Sequence, residues 1–263
     1  MHNILFTIGP VTVYGYGLMI AIGIISAYFM AEYRAKRLGL NSDMVFPLVI
    51  YLVAFGFLFS KLLYCATQIP VLLSDPQAYV LSIKSGWVIY GGILGGIFGG
   101  WLCCRHYKVS LLDYLDLAAP SCALAQGFGR IGCLLAGCCY GIETSSPFHI
   151  VFHTSEYAPN GIPLFPTEPV SSVLDFLNCL LLLLVARRTD KRGAVAGTFL
   201  TTYSAGRFIL EFFRGDLIRG KVGILTTSQF IGIFTFIAGI LILAWSTKRG
   251  VKRGTAVHRR AEA

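Results

Sequence analysis

Charge is what this sequence most lacks. Only 13% of its 263 residues are Asp, Glu, Lys or Arg, about half the share of an average soluble domain, which excludes a chain wetted over its whole surface. Acidic residues are the scarcer kind, 13 against 22 basic ones. The first ten residues carry no Lys or Arg and no cleavage pattern follows, so the first apolar run does not read as a removable secretory leader. The eight cysteines include no Cys-x-x-Cys pair, the usual mark of zinc ribbons and thioredoxin-like sites. No linker, low-complexity run or charge block divides the chain.

What is present is apolar. Hydrophobic residues make up 55% of the chain and the mean hydropathy is +0.68. A bilayer core of about 30 Å needs about 20 apolar residues per helical crossing. Seven stretches meet that length approximately: Val11 to Ala31, Val45 to Leu63, Trp87 to Cys104, Leu111 to Leu135, Val170 to Ala186, Ala194 to Phe213 and Leu225 to Trp245. The expected fold is an all-α polytopic membrane protein of about seven transmembrane helices.

The net charge of +9 does not point to nucleic acid, because the basic residues cluster beside apolar segments, where they set membrane orientation. One set of alternate connections, with the C-terminal tail, holds fifteen Lys and Arg, and the other set holds four. By the positive-inside rule the tail is cytoplasmic and, with seven crossings, the N-terminus lies outside. Residues 1–245 then form one membrane domain and 246–263 a basic cytoplasmic tail. The longest connection, 139–169, lies outside and holds several prolines and the β-formers of Phe148 to Phe152. A small extracytoplasmic head with a short strand pair is expected there.

Glycine is concentrated inside the apolar runs. Gly91, Gly95 and Gly99 share one helix face and Gly92, Gly96 and Gly100 the next, giving a flank that another helix or a lipid chain can approach. Ionisable residues at membrane depth cost at least about 2.5 kcal/mol each, so they mark candidate sites. Arg130 and Arg207 each follow a glycine, which leaves room beside a guanidinium whose planar donors suit phosphate oxygens. Asp175, Glu211 and Asp116 are candidate counter-charges. Tyr203, Arg207 and Glu211 recur every fourth residue along one face. Tyr16 and Tyr90, both next to glycine, sit at the expected outer interface, where tyrosine also serves as an anchor.

Cys65, Cys103, Cys104, Cys122, Cys133 and Cys179 lie within apolar segments and read as small packing residues. Cys138 and Cys139 are adjacent near the outer face, where neighbours make a strained disulfide and match no metal-site spacing. No metal and no soluble cofactor is indicated.

The segment Gly129-Arg-Ile-Gly-Cys-Leu-Leu-Ala-Gly-Cys-Cys-Tyr-Gly141 resembles the signature of the prolipoprotein diacylglyceryl transferases. Ile8-Gly-Pro with Tyr16-Gly-Leu-Met, Trp87-Val-Ile-Tyr-Gly-Gly, and Tyr203 through Arg214 resemble that family in the same order. The resemblance implies a seven-helix bacterial inner-membrane enzyme whose partners are phosphatidylglycerol, other membrane lipid and prelipoprotein signal peptides. The reaction would move the diacylglyceryl group to the lipobox cysteine thiol, forming a thioether and releasing glycerol phosphate. Matched positions imply that Arg130 and Arg207 hold and stabilise the phosphate, that Tyr16 and Tyr203 line the same cavity, and that Glu211, Gly91, Gly132 and Gly141 belong to the lipid site. Tyr90 stands where the family often has His, Cys133 where it often has Asn, and Phe165-Pro-Thr-Glu168 where it has His-Pro-Thr-Gln. Tyr90 then becomes a hydrogen-bond donor, with Arg130 and Arg207 favouring the thiolate in place of a dedicated base.

Two other classes stay open: a relative with another acceptor or lipid, and an anion carrier, since intramembrane arginines also line transport paths. Carriers often show repeated halves, and no motif repeats between the halves here.

Overall fold

The computed structural model describes residues 4–8, 11–216 and 220–249. A hairpin of β1 (Ile4–Ile8) and β2 (Val11–Tyr14) leads into α1 (Gly15–Arg37). Then come α2 (Val45–Thr67), the short α3 (Ile69–Ser74) and α4 (Pro76–Ser85), α5 (Ile89–His106) and α6 (Leu111–Ala136). The strands β3 (Ile150–Val151) and β4 (Pro163–Leu164) precede α7 (Thr167–Arg188) and α8 (Ala194–Leu210), and the hairpin β5 (Lys221–Val222) and β6 (Leu225–Thr226) precedes α9 (Thr227–Arg249).

Each of the seven predicted apolar stretches lies largely within an α-helix. Among the described residues, four helices are long and apolar enough to cross a membrane: Gly15–Arg37, Ser42–Thr67, Thr167–Arg188 and Thr227–Lys248. Their outward faces carry large exposed apolar side chains such as Phe29, Phe57, Leu180 and Leu241, which water would not favour but lipid would. The first stretch needs correction: Val11–Tyr14 is extended and paired to β1, and the helix begins at Gly15. The sixth ends its α-helix at Leu210 and finishes as a 3₁₀ turn, Glu211–Phe213. The helices α3 and α4 were not expected. Asp75 caps α4 by accepting from the Gln77 and Ala78 amides at 3.0 and 3.1 Å, and Pro76 suits its first position. Residues 250–263 of the expected tail lie outside the described residues.

The chain divides into two compact units, residues 35–114 and the remainder. In the smaller unit α5 lies against α2 through its glycine face. Side chains at Gly91 and Gly95 would run into the Phe59 and Phe55 carbonyls, and one at Gly99 would come within 2.6 Å of the Tyr51 carbonyl. Backbone approach of this kind needs small residues. Lys61 of α2 donates to the carbonyls of Ile83 and Gly86 and lies 4.3 Å from the Trp87 ring. It ties the α4–α5 connection to α2.

In the larger unit α1 packs on α6, where a side chain at Gly23 or Gly132 would come within 3.1–3.2 Å of the facing helix. Ala119, Ala123, Cys179, Leu182 and Val195 form a buried core between α6, α7 and α8, with Met30 of α1 against it. α8 meets α9 at Gly197 and Gly239 and through the Ser204–Thr235 hydroxyl pair at 2.6 Å. The expected strand pair is present: Ile150 and Val151 oppose Leu164 and Pro163. It covers a small core of Phe152, Ala158 and Leu164.

Asp116 is fully buried and its carboxylate accepts from the Gly193 amide at 2.7 Å and the Ala196 amide at 2.8 Å. Gly193 itself offers no side-chain cap, so a residue 77 positions away caps α8. Arg34 donates to the Leu117 carbonyl beside it. Replacing Asp116 by Ala leaves two buried amides without acceptors, a loss of about 2–4 kcal/mol. We expect a lower unfolding midpoint for Asp116→Ala in detergent, measured by circular dichroism, and an unchanged midpoint would refute the cap.

Candidate functional site

A cleft of about 250 Å3 opens between α6, α7 and α8. Arg130, Asp175, Tyr203 and Arg207 form its polar part, and Leu174, Leu177, Leu181 and Leu210 its apolar wall. The spacing of the first three leucines, three and four residues, places them on one face of α7. A side chain at Gly129 or Gly206 would meet nothing within 4 Å, so the glycine before each arginine does leave open space. Asn178 and Thr202, bonded at 2.8 Å, join α7 to α8 along the cleft, and Tyr203 stacks on Phe199 with ring centres 5.7 Å apart.

The two arginines are held differently. Arg207 is in direct ion-pair contact with Glu211 one turn on, and donates to the Ser228 hydroxyl at 3.3 Å. Arg130 reaches Asp175 only at 4.0 Å, the outer limit of an ion pair, and among the described residues no hydrogen bond accompanies it. Its side chain is 21% exposed. The arginines are close enough for their charges to interact. A cleft with an apolar wall, one locked cation and one whose donors are uncommitted can take an anionic group carrying a hydrocarbon chain. Asp116, weighed as a counter-charge, is consumed by the α8 cap.

Below Arg130, α6 ends in a turn that gathers sulfur. Gly137 is left-handed at φ +69°, the Gly137 amide bonds to the Leu134 carbonyl at 3.2 Å, and the Cys138 amide bonds to the Cys133 carbonyl at 3.1 Å, a Schellman ending. Cys139 follows at φ +67°, a conformation that is costly for a side chain with a Cβ. The turn folds Cys138 and Cys139 back towards Cys133, and the three sulfurs lie within 4.8 Å of one another. Arg214 hydrogen-bonds to Cys139 while pairing with Asp216 through two bonds of 3.0 and 2.8 Å. Hydrogen bonds from Cys133 and Cys138, then the Arg214 charge, hold the Cys139 thiol well below its usual range. Sequence spacing hid this cluster, and Arg214 with it. The Ala136-Gly137 step after an apolar helix was the one available signal.

The other expected residues fall as follows. Tyr16 is 43% exposed and lies outside the cleft lining, within electrostatic range of the three cysteines and Arg130. Tyr90, at the start of α5, belongs to the smaller unit. Gly91, Gly132 and Gly141 are buried and allow close packing. Gly91 faces α2, Gly132 faces Tyr16 and Met19, and Gly141 faces Phe165. Phe165 stacks on Phe213 at 4.9 Å, which accounts for an aromatic hydrocarbon in the Phe-Pro-Thr-Glu segment. Glu168, in the first turn of α7, is buried beside the Thr167 hydroxyl.

Comparison with known proteins agrees over almost the whole length. The family model described as prolipoprotein diacylglyceryl transferase matches residues 3–245. The phosphatidylglycerol–prolipoprotein diacylglyceryl transferase of Clostridium tetani is 44% identical over 242 residues, 92% of this chain and 96% of that protein. The enzyme numbered 2 in Clostridium perfringens is 43% identical, covering 96% of this chain and 98% of its own. The Oceanobacillus iheyensis enzyme is 31% identical over 94% and 89%.

Because nothing stands near Gly206, Gly206→Leu should fold normally while filling the cleft. Native mass spectrometry is expected to show retention of anionic phospholipid reduced about tenfold or more, a change of about 1.4 kcal/mol. Undiminished retention with an unchanged unfolding midpoint would remove the cleft as the lipid site.

Proposed function

We infer the reaction from kinship: the chain belongs to the prolipoprotein diacylglyceryl transferase family. It is a transferase of lipoprotein biosynthesis that moves the diacylglyceryl group of phosphatidylglycerol to a prolipoprotein. The acceptor is the thiol of the lipobox cysteine, and the products are a thioether and glycerol phosphate. All seven long helices cross the bacterial inner membrane, with the N-terminus outside and the basic C-terminus in the cytoplasm. The asymmetry of fifteen basic residues against four supports that orientation.

One observation carries the assignment of roles: two guanidiniums from different helices line one apolar-walled cleft, and Arg130 is the less committed of the two. Arg130 grips the phosphate of phosphatidylglycerol, and Arg207, steadied by Glu211, stabilises charge as that phosphate departs. Tyr203 lines the same cleft, and Tyr16, within electrostatic range of Arg130, is assigned to the lipid site on the sequence resemblance. The acceptor sulfur attacks the glyceryl carbon, the carbon–oxygen bond to phosphate breaks, and its electron pair leaves on the phosphate oxygen. A free thiol has a pKa of about 8.5, and the positive field favours its thiolate. Tyr90 stands as a hydrogen-bond donor on the sequence resemblance alone.

The test is incubation of the purified protein with phosphatidylglycerol and a lipobox peptide, with the diacylglyceryl adduct read by mass spectrometry. Arg130→Gln and Arg207→Gln should each slow adduct formation about 10²- to 10³-fold. Either variant at the parent rate, correctly folded, would overturn the assignment. Tyr90→Phe is expected to slow turnover about tenfold, the low end of what one polar group supplies, and unchanged turnover removes it from the mechanism.

A further inference from the structure

Three thiols at the end of one helix are more than packing requires. Cys133, Cys138 and Cys139 are each partly accessible, and their sulfurs lie within 4.8 Å of one another. Zinc bound by sulfur at about 2.3 Å in a tetrahedron separates its ligands by about 3.8 Å, a contraction that rotation of the side chains can supply. Among the described residues no fourth His, Cys, Asp or Glu joins the group. Three protein ligands and a vacancy is the pattern of reactive zinc sites, whereas structural sites are closed by four. Arg214 hydrogen-bonds to Cys139, the kind of outer contact that steadies a metal-bound sulfur. Arg130 and Arg214, both within electrostatic range of the cluster, offset the net negative charge of three thiolates on a divalent ion.

We propose that Cys133, Cys138 and Cys139 form a three-thiolate zinc site whose open fourth position takes the acceptor thiol. The idea rests on the thiol-alkylating reaction inferred above. A coordinated thiol loses its proton outright, which answers the absence of His at Tyr90 and Phe165. On binding, the acceptor thiol releases its proton to water. The sulfur then attacks the glyceryl carbon, the carbon–oxygen bond breaks, and the electron pair leaves on the phosphate held by Arg130. The thioether is a weaker ligand than the thiolate and departs, so no electron is gained or lost overall.

The test uses the full-length chain in detergent, reduced, stripped with chelator and titrated with Co2+ and then Zn2+. About one Co2+ per chain is expected, with sulfur-to-cobalt charge-transfer absorption that Zn2+ abolishes and that a lipobox peptide shifts. A peptide with Ser in place of the lipobox Cys should leave the spectrum alone. Cys133→Ser and Cys138→Ser should each bind at least tenfold more weakly, about 1.4 kcal/mol. Stripped protein should form adduct at least tenfold more slowly until Zn2+ is restored. Lack of the charge-transfer band, a Cys133–Cys138 disulfide that persists under reduction, undiminished binding in both variants, or an unchanged rate after stripping would each overturn the proposal. The spectral readout needs no turnover, so a cobalt band that shifts with peptide, in protein that makes no adduct, upholds the metal site and fails only the transfer reaction.

Discussion

A guanidinium set among apolar helices must find its compensation within reach, and the construction of the larger unit follows from how that demand is met. Glu211 serves Arg207 from one turn along the same helix. Asp216 serves Arg214 through two hydrogen bonds from two residues away. Both pairings are local, and neither depends on how helices are spaced. Arg130 is different, because its counter-charge Asp175 sits on another helix and stops at 4.0 Å. Removing either partner of such a pair would strand a charge, yet the pair itself leaves the fork of donors unspent.

The spacing that keeps Arg130 and Asp175 apart is set by backbone contacts nearby. The Ser172 hydroxyl bonds to the Gly127 carbonyl at 2.9 Å, and a side chain at Gly127 would meet the Phe176 ring at 2.5 Å. α6 and α7 therefore touch closely about one turn before Arg130. Beyond the helix ends, connecting segments tie the same helices together. The Ile142 amide bonds to the Phe213 carbonyl at 3.0 Å and the Phe165 amide to the Ile142 carbonyl at 2.8 Å, so segments following α6, preceding α7 and following α8 run as one strap. These contacts frame the cleft together with the Asn178–Thr202 bond along its lining.

Length and apolarity made the seven long helices readable, since no other element buries a run of about 20 apolar residues. Arg130 and Arg207 stood out for the complementary reason, being costly where they are. What misled was apolarity without a period: Val11 and Val13 belong to a strand but extend the same hydrophobic run as α1. The short α3 and α4 carry too few residues for a periodic signal, although Asp75-Pro76 marked a helix start. The glycines carried an ambiguous signal, because a lipid chain and a neighbouring backbone ask for the same small residue. Gly91 answers to the Phe59 carbonyl, which no local pattern announces. The sulfur cluster was least legible, since it depends on positive φ at Gly137 and Cys139, and only one of those is a residue that reveals such a preference.

Cys139 also bears on whether that cluster is incidental. A residue with a Cβ held at positive φ costs about 1–3 kcal/mol and persists where its surroundings over-determine it. Its carbonyl accepts from the Thr167 hydroxyl at 3.0 Å, its sulfur is bonded by Arg214, and the Tyr140 carbonyl next to it accepts from the Gly215 amide at 3.0 Å. The α7 start and the segment after α8 therefore both grip this one residue. If only a chain reversal were needed, Gly137 would supply it at no steric cost. The additional strain at Cys139 places a third sulfur beside the other two and on the side facing Arg214, a position that relaxation of the turn would give up.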